Sequence, residues 1–81
     1  MSELPKRILS TLMVLGAQTP DKAMSAEEVA AKLGIGSREA AQEIMALVEK
    51  GYASVIEGGA PPKMRVYLTG TGIITASSTY S

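Results

Sequence analysis

The apolar positions of the chain keep a helical spacing through three successive segments and then change to an alternating one. In "PKRILSTLMVLGAQ", Ile8, Leu9, Leu12, Met13 and Leu15 recur at three- and four-residue intervals, which gathers them on one side of a helix. Pro5 suits the first turn of that helix, where a missing N–H leaves no bond unmade. Gly16 and Pro20 close the segment, since proline cannot continue a helix, and Asp21 favours a turn. The next segment, "SAEEVAAKLG", opens on Ser25 with Glu28 three residues later. That spacing predicts a capping box, in which the hydroxyl accepts from the Glu28 amide and the carboxylate accepts from the Ser25 amide. Gly34 suits a left-handed stop. Val29, Ala30 and Leu33 share one face, and Ile35 in the following turn plugs the gap to a third helix. This third helix is capped by Ser37, runs to about Lys50 and ends at Gly51. It buries Ala40 or Ala41, Ile44, Leu47 and Val48, leaving Arg38, Glu39, Gln42, Glu43, Ala46 and Glu49 to water.

Past Gly51 the period drops to two. "YASVIE" and "MRVYLT" are short runs rich in β-branched and aromatic residues, joined by "GGAPPK", and they read as a β-hairpin with a loop of about six residues. Proline has no amide to give a ladder, so Pro61 and Pro62 belong to the loop. If Val66 and Leu68 face the core, alternation turns Arg65 and Tyr67 the other way. In the last stretch, "TGTGIITASSTYS", Thr69 can cap a short helix carrying Ile73 and Ile74, and residues 75–81 are expected to fray.

Composition narrows the function classes. The 81 residues make room for a single domain, residues 1–81 with a core over about 5–70, near the lower size at which one apolar core suffices. There is neither cysteine nor histidine. Disulfides, thiolate metal sites, thiol nucleophiles and the usual general base are thereby excluded, so the expectation is no enzyme, no cofactor and no metal. No run approaches the roughly 18 apolar residues of a membrane-spanning helix. The basic pair Lys6–Arg7 does precede an apolar run, yet "GAQTPDK" is a poor cleavage site, and the chain is expected to be cytoplasmic with no membrane partner. Eight basic residues balance eight acidic ones, so no global field attracts nucleic acid and only local patches could do so.

Three helices and a hairpin, with a tight turn between the second and third helices, predict an α+β fold: a three-helix bundle followed by a two-stranded β-hairpin. The residues carry the reading further. "SAEEVAAKLGIGSREAAQEIMALVEKGYAS" is similar to the run that spans the two helices and enters the wing in MarR-like and PadR-like winged helix-turn-helix regulators. "RVYLTGTGI" resembles the motif that ends the second wing strand in those families, with Leu68, Thr69 and Gly72 in the matching places. The resemblance covers about residues 6–74 and implies a DNA-binding transcription regulator, prokaryotic or archaeal, with the third helix in the major groove and the wing on the backbone. It carries recognition onto Ser37, Arg38, Glu39 and Gln42, and wing contacts onto Lys63 and Arg65. Double-stranded DNA is then the partner. Such regulators usually dimerise through long helices outside the winged core, and only about a dozen residues follow Thr69. A homodimer, a monomer and a fragment of a longer protein all stay open.

Each of these residues also has a plainer reading. The Arg38 guanidinium can take guanine O6 and N7 or a phosphate, or can balance Glu39 and Glu43. Gln42 can pair with adenine or sit solvated, and Glu39 can accept from cytosine N4 or favour the helix dipole. Ser37 is a cap first, though amides beside it could hold a phosphate. Lys63 and Arg65 suit backbone contact, and charge on a hairpin edge also guards against aggregation. Lys6 and Arg7 could extend such a patch, while Lys32 and Lys50 read as solvated. "GIGSRE" is no nucleotide loop: it lacks a third glycine, follows a helix and has no Walker lysine. Asp21, Glu27 and Glu28 are explained by capping and exposure, not by magnesium. A slightly acidic third helix in a neutral chain also fits a different class, a winged-helix protein-interaction module or accessory subunit of a larger complex without strong DNA binding.

Overall fold

The computed structural model describes residues 3–56 and 64–80. Its elements, in chain order, are α1 (Glu3–Val14), a 3-10 turn (Pro20–Lys22), β1 (Met24–Ser25), α2 (Ala26–Leu33), α3 (Ser37–Glu49), β2 (Ala53–Ile56), β3 (Arg65–Leu68) and α4 (Gly70–Tyr80). Among the described residues no helix is long and apolar enough to cross a membrane.

The helical spacings become buried stripes. Ile8, Leu9 and Leu12 of α1, Ala26, Val29 and Ala30 of α2, and Ala40, Ala41, Ile44 and Leu47 of α3 are all buried. All but Ala30 and Ala40 meet Ala53, Val66 and Leu68 from the strands, and Met64, in one core. Each fully buried leucine, isoleucine or valine there contributes about 1.5–3 kcal/mol relative to exposure. Leu15, expected on the inner face, instead lies beyond the last turn of α1 and is exposed, because Gly16 turns the chain at φ 79° directly after it.

The α2–turn–α3 unit follows from its caps. Ser25 Oγ accepts from the Glu28 amide at 3.1 Å and Glu28 Oε1 accepts from the Ser25 amide at 3.1 Å, so the expected capping box is closed. Gly34 takes the left-handed conformation (φ 70°, ψ 33°) that stops α2, and the Ile35 amide donates to the Ala30 carbonyl at 3.1 Å. The cap of α3 differs from expectation. Gly36, not Ser37, is the capping residue, in extended backbone (φ −70°, ψ 145°), and no side chain closes this end. Gly34 absorbs the left-handed bend, so a single extended residue completes the turn and Ser37 already lies inside the helix.

The sheet has three strands, in order β1-β3-β2 and antiparallel throughout. In the β2–β3 ladder Ala53 faces Leu68 and Ile56 faces Arg65. Alternation along β3 holds as read: Val66 and Leu68 are buried while Arg65 is exposed and Tyr67 half-buried. The hairpin connection, residues 58–63, lies outside the described residues. Two features enlarge the expected three helices and hairpin. Met24 pairs with Val66 and Ser25 with Arg65, adding β1 as a third strand. The helix after Thr69 does not stop at Ile74 but runs to Tyr80, where fraying from residue 75 was expected. It continues because α4 packs along α1 and Ala76 is fully buried.

Candidate nucleic-acid interface

The leading end of α3 follows the Gly34–Gly36 turn, and its first intrahelical bond runs from the Ala40 amide to the Gly36 carbonyl, 3.0 Å. The amides of the first turn therefore point out along the axis, where the partial positive charge of a helix start favours an anion. Ser37 is half-buried at the first helical position. Arg38, Glu39 and Gln42 are exposed. Arg38 and Gln42 stand one turn apart on one face, and Glu39 begins the neighbouring row, which Glu43, half-buried, continues. Arg38, Glu39 and Gln42 have no side-chain hydrogen bond or ion pair among the described residues. Glu49 is eleven residues beyond Arg38, about 16 Å farther along the helix axis. The acidity of α3 is thus divided: Glu49 is remote from the leading end, while Glu39 and Glu43 remain beside it.

Arg65 is not the free surface cation that alternation alone suggests. It begins β3, the central strand, and its side chain reaches back to the segment before β1. Nε–H donates to the Ala23 carbonyl at 3.3 Å and an Nη2–H donates to the same oxygen at 3.0 Å. Beside this contact the Ala26 amide donates to the Met64 carbonyl at 3.2 Å. Two consecutive residues at the base of the hairpin therefore hold residues 23 and 26, which bracket β1 and lead into α2. The Ala23 carbonyl is presented by the 3-10 turn, which closes through an Ala23 amide bond to the Pro20 carbonyl at 3.3 Å. In that turn a hydrogen bond from Thr19, then Asp21's own amide, hold the Asp21 carboxyl below its ordinary value of 3.8, with Lys22 adding to the effect. Lys63 lies outside the described residues. Lys6 is half-buried and Arg7 exposed on α1, and Lys50 is exposed at the end of α3. Lys32 is exposed and borders a shallow depression with Ser10, Thr11, Val14 and Leu15, on the α1 side of the unit.

Thr69 and Gly72 join the far end of α3 to α4. Thr69 Oγ1 donates to the Gly51 carbonyl at 2.6 Å and accepts from the Gly72 amide at 3.1 Å, and the Thr69 amide donates to the Tyr52 carbonyl at 3.1 Å. Gly72 is buried against Tyr52, and a Cβ there would fall onto the Tyr52 carbonyl. Two of the three residues matched in the wing-strand motif, Thr69 and Gly72, are accounted for by this junction. What sequence reasoning missed is the Arg65–Ala23 contact, which spans 42 residues and has no local signal.

No protein-family model matches the sequence, and no curated protein matches it. Solved structures do. TubR from Bacillus megaterium pBM400 superposes with a TM-score of 0.82 at 19% identity, covering 98% of this chain and 87% of that one. The multiple antibiotic-resistance repressor MarR from Listeria monocytogenes superposes with a TM-score of 0.71 at 14% identity, covering 91% of this chain. This chain spans about half of that repressor, 49% of its length. The order of elements, the Gly34–Gly36 turn before α3, the small sheet built on β3 and both likenesses agree: the chain belongs to the winged helix-turn-helix fold.

Proposed function

We propose that the chain binds duplex DNA and regulates transcription as a cytoplasmic protein, acting by binding and not by catalysis. The leading end of α3, with Ser37, Arg38, Glu39 and Gln42, enters the major groove, and Lys63 and Arg65 hold the backbone from the wing. The observation that carries this reading is the pairing of Arg38 with Gln42, exposed one turn apart at the start of α3, with no side-chain partner among the described residues. These are side chains that can read guanine and adenine in the major groove. The likeness to a protein described as a repressor supports the regulatory part of the reading. Two to four phosphate contacts per chain give a slope of log K against log salt of roughly −2 to −4. The test is a fluorescence-anisotropy titration on mixed-sequence duplex at low salt. Saturable binding with that slope is expected, and none at on the order of tens of micromolar protein overturns the reading.

A second reading, a protein-interaction module, is favoured by one surface. α4 carries no charged residue, and on it Ile74 is 70% exposed. A second copy of the chain is the partner that needs no further component, and a homodimer is compatible with DNA binding. Light scattering should then give twice the chain mass, falling to one chain in Ile74→Glu. A wild-type monomer would remove the homodimer.

A further inference from the structure

The guanidinium of Arg65 has two usable edges, and the structure occupies only one of them. Nε–H and the neighbouring Nη2–H, the side-on edge, converge on the single oxygen of Ala23 at 3.3 and 3.0 Å. The end-on edge, made by the outer N–H of Nη1 and the outer N–H of Nη2, presents two donors and meets no acceptor among the described residues. The acceptor on the occupied edge is a neutral carbonyl, which brings no counter-charge to the guanidinium. Its position is also held. Arg65 stands on the central strand between Ser25 and Ile56, on the exposed face opposite buried Val66, and Ala23 belongs to a closed 3-10 turn.

We infer that the Ala23 carbonyl pre-orients Arg65 so that its end-on edge takes one backbone phosphate of the duplex through two parallel hydrogen bonds, at the base of the wing. This rests on the DNA-binding reading above and adds to it which donors act and why an arginine is required. A lysine could supply the same charge, but its ammonium has no planar edge to be clamped at one side while presenting two donors at the other. The same contact ties recognition to the helix-turn-helix unit. Residues 23–25 lead directly into the capped start of α2, so a phosphate held by Arg65 is registered against α2 and, through the Gly34–Gly36 turn, against the leading end of α3. Arg65 is in this sense both a contact and the joint through which wing and helices share one geometry.

The test compares wild type, Arg65→Lys and Arg65→Gln by anisotropy on one mixed-sequence duplex over a range of salt. Arg65→Lys, with charge unchanged, is expected to lose about tenfold in affinity, the equivalent of one charge-assisted hydrogen bond. Arg65→Gln is expected to lose at least as much and to reduce the salt slope by about 1, a change that a purely structural side chain would not cause. Binding by Arg65→Lys within twofold of wild type, or an unchanged slope in Arg65→Gln, overturns the inference while leaving DNA binding standing. Absence of saturable binding by the wild-type protein overturns both. A measurement free of any variant is the Arg65 guanidinium in nitrogen-resolved NMR of the wild-type protein. A protected Nε–H before DNA is added, with Nη protons becoming observable only with duplex, is expected; resonances that ignore the duplex refute the contact.

Discussion

Gly72→Ala adds one methyl group and should weaken the fold far more than that change suggests. A Cβ at this position falls onto the Tyr52 carbonyl oxygen, comes within 2.8 Å of its carbon and lies 3.2 Å from Leu68 Cδ2. The obstacle is backbone, so no rotamer change relieves it. Either α4 moves outward or the Tyr52 peptide tilts, and both strain the Thr69 amide bond to Tyr52 and the two bonds of Thr69 Oγ1 to Gly51 and Gly72. Forcing a methyl group into a packed site costs about 2 kcal/mol. Losing two of the three hydrogen bonds adds about 2 kcal/mol. The better helix propensity of alanine returns about 1 kcal/mol. The net of about 3 kcal/mol is a large share of the roughly 4–12 kcal/mol expected for a domain of this length. Gly70→Ala supplies the control, because it lies in the same helix and its added Cβ would meet nothing within 4 Å. It should change stability by less than about 1 kcal/mol, in the stabilising direction. Urea unfolding followed by far-UV ellipticity measures both. If Gly72→Ala falls within about 1 kcal/mol of Gly70→Ala, the reasoning from close approach is wrong.

Other outcomes follow from the same geometry. Ser25→Ala removes one half of the capping box and should lower stability by about 1 kcal/mol in thermal or urea unfolding; no change would mean that solvent caps α2 equally well. Arg38→Ala should alter which duplex sequences bind best, whereas Lys63→Ala combined with Arg65→Ala should weaken all sequences alike; equal effects in an anisotropy panel would contradict this division of labour. Thr19→Val should raise the Asp21 pKa towards 3.8, as read by NMR titration, because the first cause of its depression is the hydrogen bond from Thr19. A folded-state pKa below the unfolded one means that the stabilisation is present above the unfolded value and is lost as pH falls through the folded one. Thr19→Val should therefore flatten the acid side of the stability curve, and an unchanged Asp21 titration would refute the contact.

Sequence alone determined the parts of this protein that are coded locally. The stripes of α1, α2 and α3 follow from three- and four-residue spacing, the capping box from Ser25 and Glu28, and the stop of α2 from Gly34. The strands follow from alternation, which correctly turned Arg65 away from the core while Val66 and Leu68 entered it. Along α3, Arg38, Glu39 and Gln42 were legible as an exposed set for the same reason, since helical period decides which side chains the core can take. Tertiary structure decided the rest. β1 is only two residues long, too short to show any period, and exists because Met24 and Ser25 meet Val66 and Arg65 some forty residues later. α4 is built largely from glycine, threonine and serine, poor helix formers, so packing along α1 and not propensity carries it to Tyr80. Arg65 acquires its clamp from the Ala23 carbonyl, a backbone atom that no side-chain pattern marks. Local patterns state which face of an element is apolar; only the assembled sheet and bundle state which distant backbone group that face will meet.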